Sequence, residues 1–196
     1  MDVRTFLAVS LPLPLREAVV AYQRQLKAEF SGLTWVQPHA LHLTLKFLGE
    51  IPVPQVETLY TALSQADQRP MSFIVQVTGV GVFPHNRAPR TLWIGVADPE
   101  GKLRELVRWI EQQVKALGFP EEDKPYQPHL TLARIKRNSQ EIGEALTRAG
   151  VVPSMRLFGE LPITKITLFK SDLTPQGSLY TELWSIPLTP QVRNRE

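Results

Sequence analysis

One tetrapeptide, His-Leu-Thr-Leu, occurs twice in the chain, at 42–45 and at 129–132. On a β-strand, alternate side chains point to opposite faces, so the histidine and threonine of each copy share one face and the two leucines share the other. Each copy therefore predicts a strand with an apolar back and a face that presents an imidazole and a hydroxyl. Two such faces turned towards each other would line a cleft suited to a phosphate group.

Two histidines suit acid–base chemistry on a phosphodiester. An unperturbed imidazole has a pKa of ~6.5, so near pH 7 one ring of a pair can be neutral while the other carries a proton. Hydrolysis needs both forms, because one group activates water on one side of phosphorus and another protonates the leaving oxygen on the opposite side. The hydroxyls of Thr44 and Thr131 would donate hydrogen bonds to the non-bridging oxygens, where negative charge builds up. The residues alone leave open which of His42 and His129 is the acid.

A single His-x-Thr on a strand is more often structural than catalytic, because threonine favours strands and backbone groups satisfy a half-buried histidine. The repetition here extends well beyond four residues. Gln-Pro-His stands at or just before each copy, the strand-like run at 90–96 echoes the one at 4–9, and equivalent landmarks lie 86 to 88 positions apart. We therefore predict two copies of one unit, spanning roughly 3–85 and 89–187, in a single domain of two related lobes over residues 1–196.

Hydrophobic periodicity predicts the elements that position the two motifs. Apolar residues at helical spacing predict helices over 15–30, 53–66, 103–117 and 139–149, and strand-like runs are found at 4–9, 35–36, 41–48, 72–82, 90–96, 163–170 and 179–186. Proline, asparagine and glycine predict a loop at 83–89 and a turn at 173–177, and the polar tail from 189 is expected to fray. Packing two such units about a pseudo-two-fold axis would set the motif strands opposite each other.

Composition limits the classes of function. The 196 residues are 43% hydrophobic, as in an ordinary globular protein. The formal charge of +3 is compatible with an anionic partner. The absence of cysteine excludes thiol nucleophiles and cysteine-based metal sites. The four histidines form no closely spaced ligand pattern, so we expect no metal and no cofactor. No apolar run approaches the ~18 residues of a membrane span and no signal peptide opens the chain, so we expect a cytoplasmic protein without a membrane partner.

The paired motifs and their flanking residues resemble the 2H phosphoesterase superfamily, and within it the bacterial and archaeal RNA 2′,3′-cyclic phosphodiesterases, historically called 2′-5′ RNA ligases. The flanks that carry the resemblance are Gln-Pro-His before each motif and Phe47–Glu50 or Ala133–Arg134 after it. The resemblance covers nearly the whole chain. It implies an α+β, bilobal, duplicated fold, in which two antiparallel-rich sheets line a central cleft, the helices lie outside and the lobes obey pseudo-two-fold symmetry.

The resemblance also implies metal-independent hydrolysis of 2′,3′-cyclic phosphate ends to 2′-phosphates, with His42 as the proton donor and His129 as the proton acceptor, together with 2′-5′ RNA ligation. It identifies Arg134 as a phosphate-binding residue. Strict alternation puts Arg134 on the face opposite His129, so a bulge would have to turn it inward. Alternation instead points Lys46 into the cleft as a second phosphate-binding cation, and Tyr126 is a further candidate to contact phosphate or stack a base.

Other residues and functions stay open at this point. Phe47, Phe83 and Trp93 are further candidates to stack a base, whereas His39 and His85 are expected at the surface. The leading function is RNA end processing; a non-catalytic protein that only holds RNA ends and a phosphodiesterase for a small cyclic nucleotide are the alternatives. The expected partner is RNA with a 2′,3′-cyclic phosphate or a 2′-5′ linkage, with tRNA-derived RNA among the candidates. A monomer is expected because one chain builds the whole cleft.

Overall fold

A computed structural model describes residues 2–174 and 177–190 of the chain, which form nine strands and four helices. The strands are β1 Asp2–Ser10, β2 Leu33–Trp35, β3 His42–Pro52, β4 Phe73–Phe83, β5 Thr91–Ala97, β6 His129–Ile135, β7 Ser154–Ile163, β8 Lys165–Thr174 and β9 Gly177–Pro187. The helices are α1 Leu13–Glu29, α2 Val53–Ser64, α3 Lys102–Lys115 and α4 Ser139–Arg148. The centre of the predicted turn, 175–176, and the predicted tail from 191 onwards lie outside the described residues.

The strands form two antiparallel sheets, as the predicted fold class requires. The first sheet has the order β3-β1-β8-β9 and the second has the order β2-β6-β5-β4-β7. Each sheet takes strands from both halves of the chain, because β8 and β9 join the first sheet while β2 and β4 join the second. The lobes are therefore not the two halves of the sequence, and the boundaries of the repeated units stay a prediction.

The helices also cross between the halves. Helix α1 follows a strand of the first sheet, yet its Gln23 donates a hydrogen bond of 3.0 Å to the carbonyl of Leu132 on β6. Helix α3 follows a strand of the second sheet, yet its Glu111 lies 3.3 Å from Nζ of Lys46 on β3. Each motif strand is thus supported by the helix of the other half, so neither half builds its site alone.

Helix α3 illustrates why periodicity predicts the helices correctly. Five aliphatic residues recur at helical spacing and are buried together with Trp109, and they are Leu103, Leu106, Val107, Ile110 and Val114. Burying one such side chain stabilises the fold by about 1.5–3 kcal/mol. The Asp98 carboxylate accepts hydrogen bonds from the backbone N–H groups of the first turn, at 3.1 and 3.2 Å. In the described chain, none of the four helices combines the length and the apolar character needed to cross a membrane.

The sequence pattern does not predict strand β7. This strand lies at the edge of the second sheet, and most of its side chains are partly or fully exposed, so the alternation that marks a half-buried strand is missing. The predicted strand at 163–170 combines Ile163, the last residue of β7, with β8. The chain changes sheets at Thr164, and apolar residues continue across that change.

Candidate active site

His42 and His129 open β3 and β6 and have the same local geometry. Nδ1 of His42 lies 2.7 Å from the carbonyl oxygen of Ala40, and Nδ1 of His129 lies 2.7 Å from the carbonyl oxygen of Gln127. A carbonyl oxygen only accepts hydrogen bonds, so Nδ1 is the protonated nitrogen in both rings. Nε2 is then the nitrogen left in each ring to exchange a proton.

Within each motif, the predicted alternation is confirmed. The four leucines, 43, 45, 130 and 132, are buried with at most 2% of their surface exposed. The two histidines and the hydroxyl-bearing Thr44 and Thr131 are partly exposed on the other face. The apolar backs of both strands thus hold these four side chains against the cleft.

A β-bulge interrupts β6 immediately after the second motif. Thr131 lies opposite Trp93 of β5, whereas Ala133 lies opposite Leu92, the preceding residue of β5. Leu132 is therefore the extra residue, and alternation is reversed beyond it.

The bulge turns Arg134 towards the cleft. Arg134 lies opposite Thr91, which is two residues from Trp93 on β5 and shares its face. Because directly opposed residues of paired strands point to the same face, Arg134 lies on the face of Thr131. Its Nη1 donates a hydrogen bond of 3.0 Å to the buried Oγ1 of Thr91, so the guanidinium is anchored beside the second motif.

Strand β3 contains the same bulge. Its extra residue is Leu45, because Thr44 lies opposite Ala8 of β1 while Lys46 lies opposite Leu7. Lys46 therefore points to the face opposite Thr44. The prediction that Lys46 enters the cleft is wrong, since it assumed an alternation that the bulge reverses.

Lys46 instead lies on the face of the first sheet opposite Thr44, where its Nζ has two polar partners. Only 3% of its surface is exposed, and its Nζ donates a hydrogen bond of 2.9 Å to the carbonyl oxygen of Pro120 and pairs with Glu111 at 3.3 Å. A buried ammonium needs such partners to offset its lost hydration. Lys46 thus fastens the loop that leads to the second motif, and a contact with substrate phosphate is not supported.

Tyr126 also has a different partner from the predicted phosphate. Its hydroxyl donates a hydrogen bond of 2.8 Å to the carbonyl oxygen of Thr44, and burial raises the pKa of this hydroxyl. Tyr126 stands three residues before His129, so this bond joins the approach to the second motif directly to the first. The expected phosphate contact is corrected to a link between the loop before β6 and strand β3.

The two imidazoles differ in their surroundings. The His42 ring packs 4.8 Å from Phe6 and 5.1 Å from Tyr180, and its burial lowers the pKa of His42 to about 4, with a smaller lowering from His129. Burial also lowers the pKa of His129, whose ring lies 5.0 Å from Phe83, and the neighbouring Arg134 lowers it further. The effect of His129 on the pKa of His42, together with the hydrogen bond from Tyr126 to Thr44, indicates that the fold brings both histidines to one site.

The remaining predicted residues lie as follows. Phe47 is 60% exposed on the cleft face of β3, opposite Phe6, whereas the indole of Trp93 lies flat over Gly81, where a Cβ would overlap the ring. His39 and His85 are exposed, as expected. Over 2–174 and 177–190, no three histidine, aspartate or glutamate side chains gather into a metal-binding group.

Sequence reasoning missed two polar residues of the site. Thr91 orients Arg134, but only the strand register brings the two together. Gln23 was passed over within helix α1, although it stands at a core position, four residues after Val19 and three before Leu26, and is 6% exposed. A polar amide in an apolar helix stripe is the signal that could have found it.

The sequence profile of the family described as LigT like Phosphoesterase matches two consecutive segments, residues 9–93 and 94–180. The chain belongs to the LigT-like phosphoesterases. The resemblance drawn from the two motifs is therefore confirmed, and the protein is an enzyme of this family.

Individual LigT-like proteins cover the chain almost completely. It is 36% identical over 180 residues to the RNA 2′,3′-cyclic phosphodiesterase of Archaeoglobus fulgidus, which corresponds to 92% of this chain and 97% of that protein. The crystal structure of TT0787 of Thermus thermophilus is 31% identical, with a TM-score of 0.76 over 96% of this chain and 99% of that one. Escherichia coli LigT complexed with 3′-AMP is 25% identical, with a TM-score of 0.76 over 96% and 99%.

Proposed function

We propose that the chain hydrolyses 2′,3′-cyclic phosphate ends of RNA to 2′-phosphates, with His42 as the proton donor and His129 as the proton acceptor. The observation that carries this proposal is the matched pair of imidazoles, each with Nδ1 held by a backbone carbonyl and Nε2 left to exchange a proton. The Archaeoglobus fulgidus relative is named for this activity, and Escherichia coli LigT was solved with a nucleoside monophosphate.

The reaction breaks one bond to phosphorus and forms another. Nε2 of His129 takes a proton from water as the water oxygen bonds to phosphorus. The bond from phosphorus to the 3′-oxygen breaks as Nε2 of His42 gives its proton to that oxygen. The product carries a 2′-phosphate and a 3′-hydroxyl, and solvent then resets the protonation of both rings.

The lowered pKa values fit these roles once the substrate is considered. Burial lowers the pKa of His42 to about 4, so a proton donor here needs a negative charge beside it. The phosphodiester anion supplies that charge, and we expect His42 to gain its proton as the substrate binds. Burial and, to a smaller extent, the neighbouring Arg134 lower the pKa of His129, so this ring stays neutral as a base.

Positive charge and hydroxyl donors would stabilise the transition state. Arg134 shares the face of His129, and a guanidinium suits two phosphate oxygens at once. Thr44 and Thr131 add hydroxyl donors at the non-bridging oxygens. This arrangement supplies the required charge from protein groups, so we propose that the reaction is independent of metal ions.

The base of the terminal nucleoside would stack on Phe47. Of the four aromatic residues proposed for this role, Phe47 is the one with most of its surface exposed. The Tyr126 hydroxyl is hydrogen-bonded to Thr44 on β3, and the Trp93 ring packs against Gly81 of its own sheet. Stacking on a single aromatic ring is worth about 1–3 kcal/mol per base.

A 5′-hydroxyl that takes the place of water would give a 2′-5′ linkage with the same two proton transfers, so 2′-5′ ligation belongs to the proposal as the minor reaction in water. The physiological RNA, including tRNA-derived ends, the monomeric state and the cytoplasmic location stay predictions.

The experiment that tests the proposal is product analysis. The protein is incubated in EDTA with adenosine 2′,3′-cyclic phosphate and, separately, with an oligoribonucleotide that ends in the same group, and the products are identified by ³¹P NMR. We expect a 2′-phosphate from both substrates. A 3′-phosphate would overturn the assignment of His42, and activity lost in EDTA but restored by a divalent ion would overturn metal independence. Binding of the oligonucleotide without turnover would support the non-catalytic alternative.

A further inference from the structure

Helix α1 buries one polar side chain among its apolar residues. Leu15, Val19, Tyr22 and Leu26 form the buried stripe of this helix, and Gln23 is buried with them at 6% exposure. An amide at such a position costs stability unless its hydrogen bonds are made within the protein. The partners of Gln23 therefore indicate what the residue is for.

Both partners of Gln23 lie at the bulge beside the second motif. Its Nε2 donates hydrogen bonds of 3.0 Å to the carbonyl oxygen of Leu132, the extra residue of the bulge, and of 3.1 Å to the carbonyl oxygen of Val36, just beyond β2. The backbone N–H of Val36 also donates to the Leu132 carbonyl, at 2.9 Å. One amide group thus joins two strands at the point where alternation reverses.

The conformation of that point decides where Arg134 lies. Arg134 reaches the face of Thr131 only because Leu132 is inserted between the paired positions, and an unbulged strand would turn Arg134 to the buried face. A residue that holds the Leu132 carbonyl therefore acts on Arg134 without touching the substrate.

We propose that Gln23 is a positioning residue for the reaction: it holds the bulge at Leu132 and thereby keeps Arg134 in the cleft. The inference rests on the proposed role of Arg134 in binding phosphate. Gln23 itself lies behind the sheet and makes no contact with the substrate.

A double-mutant cycle tests the inference. The catalytic efficiency kcat/KM for adenosine 2′,3′-cyclic phosphate is measured for the wild type, Gln23→Met, Arg134→Ala and the double variant. Methionine keeps the length of the side chain and removes both hydrogen bonds. We expect Gln23→Met to lose about tenfold when Arg134 is present and less than about twofold in the Arg134→Ala background, because the two residues act through one contact.

A matched control separates this role from general damage to helix α1. Gln25 lies on the same helix two residues later and is exposed, so Gln25→Met should leave kcat/KM unchanged in both backgrounds. An equal loss for Gln23→Met with and without Arg134 would overturn the inference, and so would no loss at all. If Arg134→Ala alone leaves kcat/KM unchanged, the proposed phosphate role of Arg134 fails, and the inference fails with it for that separate reason.

A second variant keeps the test decisive if Gln23→Met does not fold. In Gln23→Glu, the carboxyl group donates a hydrogen bond to one of the two carbonyl oxygens only when it is protonated. We expect the activity of Gln23→Glu relative to wild type to rise as the pH falls, and this rise to disappear in the Arg134→Ala background. A rise of the same size in both backgrounds would contradict a role through Arg134.

Discussion

The first lobe, built on the sheet of β3, and the second lobe, built on the sheet of β6, give His42 and His129 the same backbone surroundings. The side chains beyond the two histidines differ between the lobes. In each lobe the histidine is fixed through Nδ1 by the carbonyl two residues earlier, and one extra residue, Leu45 or Leu132, follows the threonine as a bulge. Beyond the bulge, the cleft-facing position holds Phe47 in the first lobe and Arg134 in the second. Duplication thus supplies two imidazoles in equivalent positions, and the cleft-facing residue two positions beyond the bulge differs between the lobes.

The supporting helices repeat this contrast. Gln23 on α1 and Glu111 on α3 are 88 positions apart, the offset of the repeated helices. Gln23 holds the backbone of the bulge, whereas Glu111 pairs with Lys46, for which the second lobe has Ala133. If Arg134 binds phosphate and Phe47 stacks the base, as we propose, a symmetric scaffold assigns the two parts of the substrate to different lobes by changes at only a few positions.

Replacing either histidine removes what the lobes share, and we expect the largest effect there. His42→Ala and His129→Ala should each lower kcat for a 2′,3′-cyclic phosphate by about 10²–10⁴-fold, the usual contribution of a general acid or base. Circular dichroism should show that both variants remain folded. Turnover at the wild-type rate in either variant would remove the two-histidine mechanism, and His39→Ala, at an exposed position, serves as the control.

Because His42 is buried, the stability of the folded chain should be sensitive to acid. The pKa of His42 is about 4 in the folded chain against ~6.5 for a free imidazole, so the unfolded chain binds a proton that the folded chain does not. Neutral His42 makes its full contribution to the free energy of unfolding above pH 6.5. This contribution, roughly 3 kcal/mol, is lost as the pH falls from 6.5 to 4.

Urea unfolding of His42→Asn between pH 7 and pH 4 measures this contribution. Asparagine does not titrate and keeps an N–H donor near Ala40, so the variant should lose less stability than the wild type over that range, while His39→Asn should follow the wild type. Parallel losses in His42→Asn and the wild type would contradict the lowered pKa of His42.

We expect the smallest changes in kcat/KM from replacing Arg134 and Phe47, the cleft-facing residues beyond the two bulges. Arg134→Ala removes charge stabilisation and should lower kcat/KM by about 10²-fold. Phe47→Ala removes a stacking surface and should act mainly on KM, by about tenfold. Measuring kcat and KM separately checks this division, and loss of kcat in Phe47→Ala with an unchanged KM would contradict separate phosphate and base lobes.

Much of the site could be predicted from the sequence because its signals are local. The paired tetrapeptides predicted which side chains of each motif are buried, and helical periodicity predicted all four helices. The residues beyond the motifs could not be predicted in the same way. Lys46 follows the apolar–polar alternation of its strand, yet one inserted residue reverses its face, and nothing in the local pattern distinguishes a bulged strand from a regular one.

The sequence by itself determined the duplication, the family, the two histidines and the helices, since these depend on residue type and on periodicity along the chain. The tertiary structure alone decided the exchange of β2, β4, β8 and β9 between the sheets, the bulges after the two motif threonines, and the hydrogen bonds of Gln23, Tyr126 and Lys46. Those features depend on which strands pair and in what register. Such pairing is a balance of packing and hydrogen bonding between residues far apart in the chain, and no short stretch of sequence records it.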